Sequence, residues 1–289
     1  MSQHVKNDTY PAGIFSLLSN IHDVISPALR ATRPIAWRIT SWTKNPRLLD
    51  QLRACIRTQR YSIRTEQAYV QWVRRHNRKC WYTESKNPGR LNDVEHFRPK
   101  TRVSTTGGIE YWYWFLAFNP INYRLSSQIS NRLNRKSVLG ATGGKGNKFP
   151  LMPGSPRATD MAGLGSEQPV ILDSCNKSDV DLLEFQPDGR PVVSMRHETD
   201  ADARYRVEQS KLLLNLDYPT FSEGREGLYN NIKELVDRGD QYIHDGIDAL
   251  GDVKNDLRAL MHEDAGYSKA AECYIRCFRN RPWVEQLII

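Results

Sequence analysis

The sequence predicts an α+β chain in which a small segment with short strands lies inside a mostly helical protein. Apolar residues recur at helical spacing in residues 45–75 and again from about residue 202, where four helices are expected, the last capped by Ser268. Short extended pieces such as "DVEH", "PVILD" and "RPVVSM" interrupt this pattern. We divide the chain into an unassigned N-terminal arm (1–44), a basic helical hairpin (45–78), a central core with an irregular extension (79–196) and a C-terminal helical region (197–289).

The charge of the chain predicts a polyanionic partner. It carries 41 Lys and Arg residues against 33 Asp and Glu, a formal net charge of +8. Much of the basic excess lies in residues 30–148. Nucleic acid is therefore the first candidate partner and a membrane surface the second. A basic soluble protein without such a partner is the alternative that charge by itself leaves open.

The sequence predicts a cytoplasmic protein with no membrane partner. The N-terminal "GIFSLL" is too short for the apolar part of a signal peptide, and no run approaches the roughly 20 apolar residues of a membrane span. The five cysteines are scattered and odd in number, which is typical of reduced thiols.

Residues 45–78 predict the basic helical hairpin. Asn45 is a candidate N-cap, and Pro46 suits the first helical position. The segment "PRLLDQLRACIRTQRYSIRTEQAYVQWVRR" resembles the start of the core-binding domain of integron-type tyrosine recombinases, which implies a DNA-facing surface. A plain amphipathic hairpin with solvated arginines explains the same pattern, and both interpretations stay open.

Two segments near the centre carry further expectations. The aromatic run "EYWYWFLAF" (110–118) is typical of a buried strand or a short core helix, so its rings are expected in the core. The glycine-rich "GATGGKGNKFP" (140–150) lacks the residue spacing of a phosphate-binding P-loop. We expect a mobile loop that presents Lys145 and Lys148.

The stretch "DVEHFRPK" (93–100) places a carboxylate and an imidazole side by side at the predicted end of a strand. Phosphodiester hydrolysis needs an activated water, whose proton a histidine takes because its pKa lies near working pH. It also needs a cation on the phosphate, which a divalent metal on oxygen ligands supplies. Adjacent strand residues point to opposite faces, so a bend at Glu95 and His96 is required to bring both to one phosphate.

The order of several sequence blocks resembles the HNH endonucleases, in the branch whose first motif reads E-H-F-R-P-K. These blocks span residues 80–190 and are "CWYTE", "DVEHFRPK", "YWFLAFNPINYRLSSQISNR", "KFPL", "SPRA", "ILD" and "LLEFQPDGR". The resemblance implies a small ββα-metal core embedded in the helical chain. In such a core a β-hairpin and a helix hold one Mg²⁺ or Mn²⁺ ion.

The resemblance also implies a role for each matching residue. His96 corresponds to the general base and Glu95 to the acidic metal ligand. Asn122 corresponds to the central asparagine that holds the loop and orients the histidine, and Asn131 to the second metal ligand. The residues expected to neutralise nucleic-acid phosphates are Arg98, Lys100, Arg132, Lys136, Lys145 and Lys148.

The sequence departs from many HNH relatives at a structural zinc site. Where they carry two C-x-x-C pairs, this chain reads Cys80-Trp81-Tyr82-Thr83 and Ser127-Gln128-Ile129-Ser130. Hydroxyls replace three of the four thiolates and are poor zinc ligands. We therefore predict no structural zinc and expect the aromatic core and the C-terminal helices to hold the hairpin.

These observations predict a metal-dependent HNH endonuclease that hydrolyses DNA, with RNA left open as a substrate. The resemblance suggests a role in defence against phage or mobile DNA, beside an ATPase or another subunit of a defence system. Two alternatives stay open. One is a catalytically silent nucleic-acid-binding protein on a decayed HNH scaffold, and the other is an assembly subunit that acts through its C-terminal helices.

Overall fold

The computed structural model describes residues 79–86, 92–103, 111–117, 119–133 and 143–288. All of them lie in the compact unit that spans Arg47–Ile289. The predicted arm 1–44, the predicted hairpin 45–78 and Lys136 lie outside the described residues. Helices and small antiparallel sheets make up the described part, which is compatible with the predicted α+β class. The predicted ββα-metal core stays a prediction.

Two antiparallel strands form the first sheet. Strand β1 (Asp93–His96) pairs with strand β2 (Tyr123–Ser126), with Glu95 opposite Arg124 and His96 opposite Tyr123. Helix α1 (Gln128–Asn131) follows directly, and its N-cap is Ser127, whose hydroxyl oxygen accepts from the Ser130 N–H. The strands and the helix therefore come together at one place, which is where the predicted site residues lie.

A second, smaller sheet lies in the irregular extension. Helix α2 (Lys177–Val180) precedes strand β3 (Leu183–Phe185), which pairs antiparallel with strand β4 (Pro191–Val193). The turn between the strands passes through Gly189, whose φ of +77° is favourable only for glycine. Short 3₁₀ turns complete the segment and its surroundings, at Trp114–Leu116, Pro120–Asn122, Ala162–Ser166 and Met195–His197.

Five helices form the C-terminal region. They are α3 (Ala201–Leu214), α4 (Pro219–Asp245), α5 (Leu250–Met261), α6 (Ser268–Cys277) and the short α7 (Pro282–Glu285). The first four are the helices that the apolar spacing predicts, whereas α7 is not predicted. Ser268 is the first residue of α6 and not its cap, because Tyr267 occupies the cap position and the Ser268 hydroxyl donates to Glu84 (2.8 Å). Among the described residues, no helix combines the length and the apolar character needed to cross a bilayer.

Two large apolar cores and a smaller cluster hold the described elements. The first core joins Phe97, which directly follows β1, to Tyr113, Phe149 and to Leu213 and Leu214 of α3. The second lies among helices α4 to α7, as the amphipathic spacing of their residues requires. Because α3 shares the first core with Phe97, the C-terminal region packs against the chain at the end of β1.

The aromatic run only partly enters the core. Tyr113 and Leu116 are buried, as predicted, but Trp112 and Trp114 are 51% and 59% exposed and Tyr111 is 44% exposed. The prediction that this run is a core element was therefore wrong for three of its rings. The physical reason is that the chain forms a short 3₁₀ turn at Trp114–Leu116, which places only some of its side chains on the core side.

A buried arginine joins the second sheet to the helices. The Arg225 side chain in α4 is fully buried, and its Nε donates to the Gly189 carbonyl (2.6 Å). Its Nη2 donates to the Leu216 carbonyl (2.5 Å), and the guanidinium lies over the Phe185 ring. Burial lowers the pKa of Arg225 to about 10, which still leaves it charged at neutral pH.

We expect Arg225→Met to lower the free energy of unfolding by about 3 kcal/mol, because it leaves two buried carbonyls without donors. Urea unfolding followed by circular dichroism measures this change. Arg238→Met is the matched control, since Arg238 lies on the same helix and is half exposed. Equal effects of the two substitutions would contradict the structural role of Arg225.

Candidate functional site

His96 ends strand β1 and is half-buried. Its Nε2 lies 2.9 Å from the Ala117 carbonyl oxygen, and its ring packs edge-on against Tyr123 with the centroids 5.0 Å apart. A carbonyl oxygen only accepts, so Nε2 carries the proton and Nδ1 keeps its lone pair. Burial lowers the pKa of His96 to about 4, assisted by the charges of Lys100 and Lys145 and opposed by the bond to Ala117. The imidazole is therefore neutral at pH 7 and able to accept a proton.

Asn122 fixes the chain that follows His96. Its Oδ1 accepts from the Arg98 N–H (2.8 Å), and its Nδ2 donates to the Arg98 carbonyl (2.8 Å). Its own carbonyl accepts from the Phe97 N–H (2.8 Å). Because Asn122 is buried, these three bonds hold the backbone on the far side of His96 in one conformation. This arrangement is consistent with the loop-holding role predicted for Asn122.

Glu95 points into the protein and has two partners. Its Oε1 forms an ion pair with the Lys145 ammonium, and its Oε2 accepts from the Tyr82 hydroxyl (2.7 Å). All three side chains are buried. Burial and the adjacent Glu95 charge raise the pKa of Tyr82 well above its usual value, so the phenol stays a donor. The Glu95 carboxylate is thus fully engaged inside the protein.

Lys145 is not the loop cation that the sequence suggests. Its side chain is fully buried, and its Nζ also donates to the His96 carbonyl (2.9 Å). Its backbone N–H donates to the Ser130 carbonyl (2.8 Å), and the Gly146 N–H donates to the Asn131 carbonyl (2.8 Å). The prediction of a mobile loop that presents Lys145 to nucleic acid was therefore wrong. The buried carboxylate of Glu95 draws the ammonium inward, and both ends of this contact are desolvated together.

Asn131 lies against the start of β1 and not against Glu95. Its Nδ2 donates to Asp93 Oδ2 (3.1 Å). Arg132 also binds Asp93, with Nε and Nη2 at 3.0 and 3.1 Å from the two carboxylate oxygens. The Arg132 side chain is nevertheless 61% exposed, so it stays on the surface where a phosphate can reach it.

The other predicted phosphate contacts in the described residues are Lys100, Arg98 and Lys148, and they differ in exposure. Lys100 is exposed, as a surface cation should be. Arg98 is not available, since its Nε donates to buried Glu167 (2.7 Å) and its guanidinium lies over the Phe97 and Phe149 rings. Lys148 is half-buried, and its backbone N–H donates to the Lys145 carbonyl (2.9 Å). The expectation that Arg98 faces a phosphate was thus wrong, because an internal carboxylate competes for it.

The structure does not bring Glu95, His96 and Asn131 into contact with one another. Each has a separate set of partners, and the described residues contain no group of three His, Cys, Asp or Glu side chains that could hold a metal. Mg²⁺ prefers carboxylate oxygens that are free to enter its shell, and Lys145 and Tyr82 occupy both oxygens of Glu95. The predicted ligand pair therefore does not fit a divalent cation in this arrangement. A metal at Glu95 requires that Lys145 first withdraw.

The positions at which many HNH relatives carry C-x-x-C pairs have other contacts here. Cys80 is a buried free thiol, and its Sγ lies 3.5 Å from the Thr83 backbone nitrogen. The Ser127 hydroxyl donates to the Ser130 hydroxyl (3.1 Å) at the N-terminus of α1. The two serines are joined by direct hydrogen bonds, whereas cysteines at these positions in the relatives are joined through a bound zinc ion. The expectation of no structural zinc stays a prediction.

Sequence reasoning assigned no role to several residues that build this site. Tyr82 and Asp93 are polar partners of Glu95 and Asn131, and Arg124 forms a buried bidentate pair with Asp173 (2.8 and 2.6 Å). Asp93 was recognisable in principle, since residues two apart on a strand share a face. The partners of Arg124 and Glu95 lie far along the chain, so no local signal identifies them.

We expect Lys145→Met to lower the free energy of unfolding by about 3–5 kcal/mol, because it leaves the Glu95 carboxylate buried without a counter-ion. Urea unfolding in EDTA and in Mg²⁺ measures this change and shows whether a divalent cation replaces the ammonium. The double variant Glu95→Gln with Lys145→Met should regain part of the loss, since neither charge then remains.

Lys233→Met is the control for this series. Lys233 forms an exposed pair with Asp237 (2.7 Å), so its loss should change stability much less. Equal destabilisation by Lys145→Met and Lys233→Met would show that the buried pair does not hold the hairpin.

Two comparisons with known proteins found no match. No protein-family model matches the chain. No curated protein matches it either. The HNH assignment therefore stays a prediction that rests on the sequence motifs.

Proposed function

We propose that the chain hydrolyses phosphodiester bonds of nucleic acid, with DNA as the first substrate and His96 as the general base. The observation that carries this proposal is the hydrogen bond between His96 Nε2 and the Ala117 carbonyl (2.9 Å). It fixes the tautomer, so Nδ1 is the basic atom. No described residue donates a hydrogen bond to Nδ1, which suits an atom that receives a proton from water.

The proposed step needs only His96, a water molecule, the phosphodiester and a proton from solvent. His96 Nδ1 takes a proton from a water molecule, and the water oxygen forms a bond to phosphorus. The bond from phosphorus to the leaving 3′ oxygen breaks, and that oxygen gains a proton from solvent. The imidazolium then holds a charge-assisted hydrogen bond to the Ala117 carbonyl, which stabilises the protonated state while it lasts. Asn122 supports this step by keeping the backbone after His96 in place.

Two exposed cations support the choice of a phosphate substrate. Lys100 is exposed, and its charge acts on His96 strongly enough to lower the pKa of the imidazole. Arg132 is exposed at the end of α1. Both are predicted phosphate contacts, and both are placed where a polyanion can reach them. The predicted Mg²⁺ or Mn²⁺ receives no step in this scheme, because Lys145 holds the carboxylate that would bind it.

A second candidate function is a catalytically silent nucleic-acid-binding scaffold. The ion pair between Glu95 and Lys145 favours it, since a protein that needs no metal is free to use this carboxylate for stability. The same hairpin and the same exposed cations would then bind nucleic acid without cleaving it. The assembly role through the C-terminal helices has no comparable observation in its favour.

The biological setting rests on the resemblance to HNH endonucleases and stays a prediction. Defence against phage or mobile DNA, an ATPase or other defence-system partner and a cytoplasmic location all follow from that analogy or from the sequence. RNA is left open as a substrate because the proposed step uses the phosphate and not the sugar.

We expect the purified chain to nick supercoiled plasmid and His96→Ala to lower the rate at least about 100-fold, since a general base contributes about that much. Gel electrophoresis of the plasmid forms measures the rates in Mg²⁺, in Mn²⁺ and in EDTA. The control His262→Ala should nick at the wild-type rate, because His262 is an exposed residue at the end of α5.

Nicking that His96→Ala leaves unchanged would remove His96 from the mechanism. If neither protein nicks in any buffer although both bind the plasmid, the silent scaffold is the better description. Activity that EDTA abolishes would mean that a metal takes part in the reaction.

A further inference from the structure

Three large aromatic rings lie on the surface beside the candidate site. We call Tyr111, Trp112 and Trp114 the aromatic face; their exposed fractions are 44%, 51% and 59%. Aromatic side chains gain most from burial, so exposed rings on one short segment mark a place where something binds. The Arg157 guanidinium already lies over the Tyr111 ring (5.9 Å), which leaves Trp112 and Trp114 as the rings available to a ligand. The proposed hydrolysis does not use them.

The backbone that carries the aromatic face is firmly held. The Val103 N–H donates to the Tyr111 carbonyl (2.8 Å), and the Tyr113 N–H donates to the Pro99 carbonyl (3.0 Å). Tyr113 itself is buried, and its hydroxyl donates to Glu167 (2.7 Å). Because Tyr113 anchors the segment in the core, Trp112 and Trp114 on either side of it remain largely exposed.

The aromatic face adjoins His96. Trp114 begins the 3₁₀ turn Trp114–Leu116, and the next residue, Ala117, supplies the carbonyl that accepts from His96 Nε2. The rings and the candidate base are thus parts of one small structure. A strand of substrate that reaches the imidazole passes close to this turn.

Exposed cations accompany the aromatic face. Lys100 and Arg102 are exposed, and they lie on the segment that pairs with the backbone of Tyr111 and Tyr113. Aromatic rings interleaved with cations are the pattern by which proteins hold single-stranded nucleic acid, since the rings stack on unpaired bases and the cations follow the backbone. A duplex hides the faces of its bases within its own stack, so it offers such rings far less to bind.

We propose that Trp112 and Trp114 stack on unpaired bases and make the chain select single-stranded or locally unpaired nucleic acid. This inference rests on the proposed function for the class of ligand, but it concerns binding and not the chemical step. It predicts that the preferred substrate exposes bases beside the phosphate that is attacked.

The test measures binding in EDTA with a short fluorescein-labelled oligothymidine and with a labelled duplex of equal length. We expect Trp112→Ala and Trp114→Ala each to weaken oligothymidine binding about tenfold, as loss of one stacked base implies, and to change duplex binding by less than about twofold. Trp112→Phe keeps a ring and should restore most of the affinity. Circular dichroism confirms that each variant is folded.

Tyr205→Ala is the matched control. Tyr205 is an exposed ring on α3 outside the aromatic face, so its loss should leave both affinities unchanged. Because the assay measures binding and not cleavage, its result is independent of the outcome of the nicking assay. Wild-type affinity in both tryptophan variants, or an equal loss on single strand and duplex, would overturn the proposal.

A sedimentation experiment with lipid vesicles tests the alternative that the aromatic face binds a membrane surface, which also attracts tryptophan and basic residues. Wild type and Trp112→Ala are sedimented with vesicles of phosphatidylcholine and phosphatidylserine. Sedimentation that depends on Trp112, together with oligothymidine binding that does not, would assign the aromatic face to a membrane surface and overturn the proposal. Absence of Trp112-dependent sedimentation supports it.

Discussion

The buried ion pair between Glu95 and Lys145 is the contact on which the arrangement of the first hairpin depends. The Lys145 ammonium reaches β1 through the Glu95 carboxylate and the His96 carbonyl, while the backbone of Lys145 and Gly146 bonds to α1. One residue therefore connects the strand to the helix. Two charges that leave water together are stable only while each faces the other, so neither partner can move without a large cost.

Glu95 and His96 are adjacent in sequence but have different surroundings. Strand geometry sends Glu95 into the protein and His96 toward the surface, and the hydrogen bonds of each side chain follow from that alternation. Glu95 is bound inside the protein, whereas no described residue donates a hydrogen bond to His96 Nδ1. The Lys145 ammonium therefore lies against Glu95, at the position where the resemblance to HNH endonucleases implies a metal ion.

Several arginines are paired inside the protein, so the net charge is a poor guide to the number of cations on the surface near the hairpin. Arg98 and Arg124 lie close to the hairpin, yet both are bound to carboxylates of the extension that follows it, Glu167 and Asp173. Arg225 is buried against backbone carbonyls. The basic excess of the chain therefore overstates the cation density of this surface. The proposed selectivity for a polyanion would depend more on the exposed cations and on the aromatic face than on total charge.

The sequence by itself determined the α+β class, four of the five C-terminal helices and the position of the strand that ends in His96, because caps, prolines and apolar spacing act over a few residues. The loop-holding geometry of Asn122 also agrees with its motif. Only the tertiary structure decided that Lys145 and Arg98 are internal and that Trp112 and Trp114 are exposed. Lys145 bonds to His96, 49 positions away in the sequence, and Arg98 bonds to Glu167, 69 positions away. Whether a charge or a ring faces solvent depends on which distant groups the fold brings against it, and a local pattern carries no record of that.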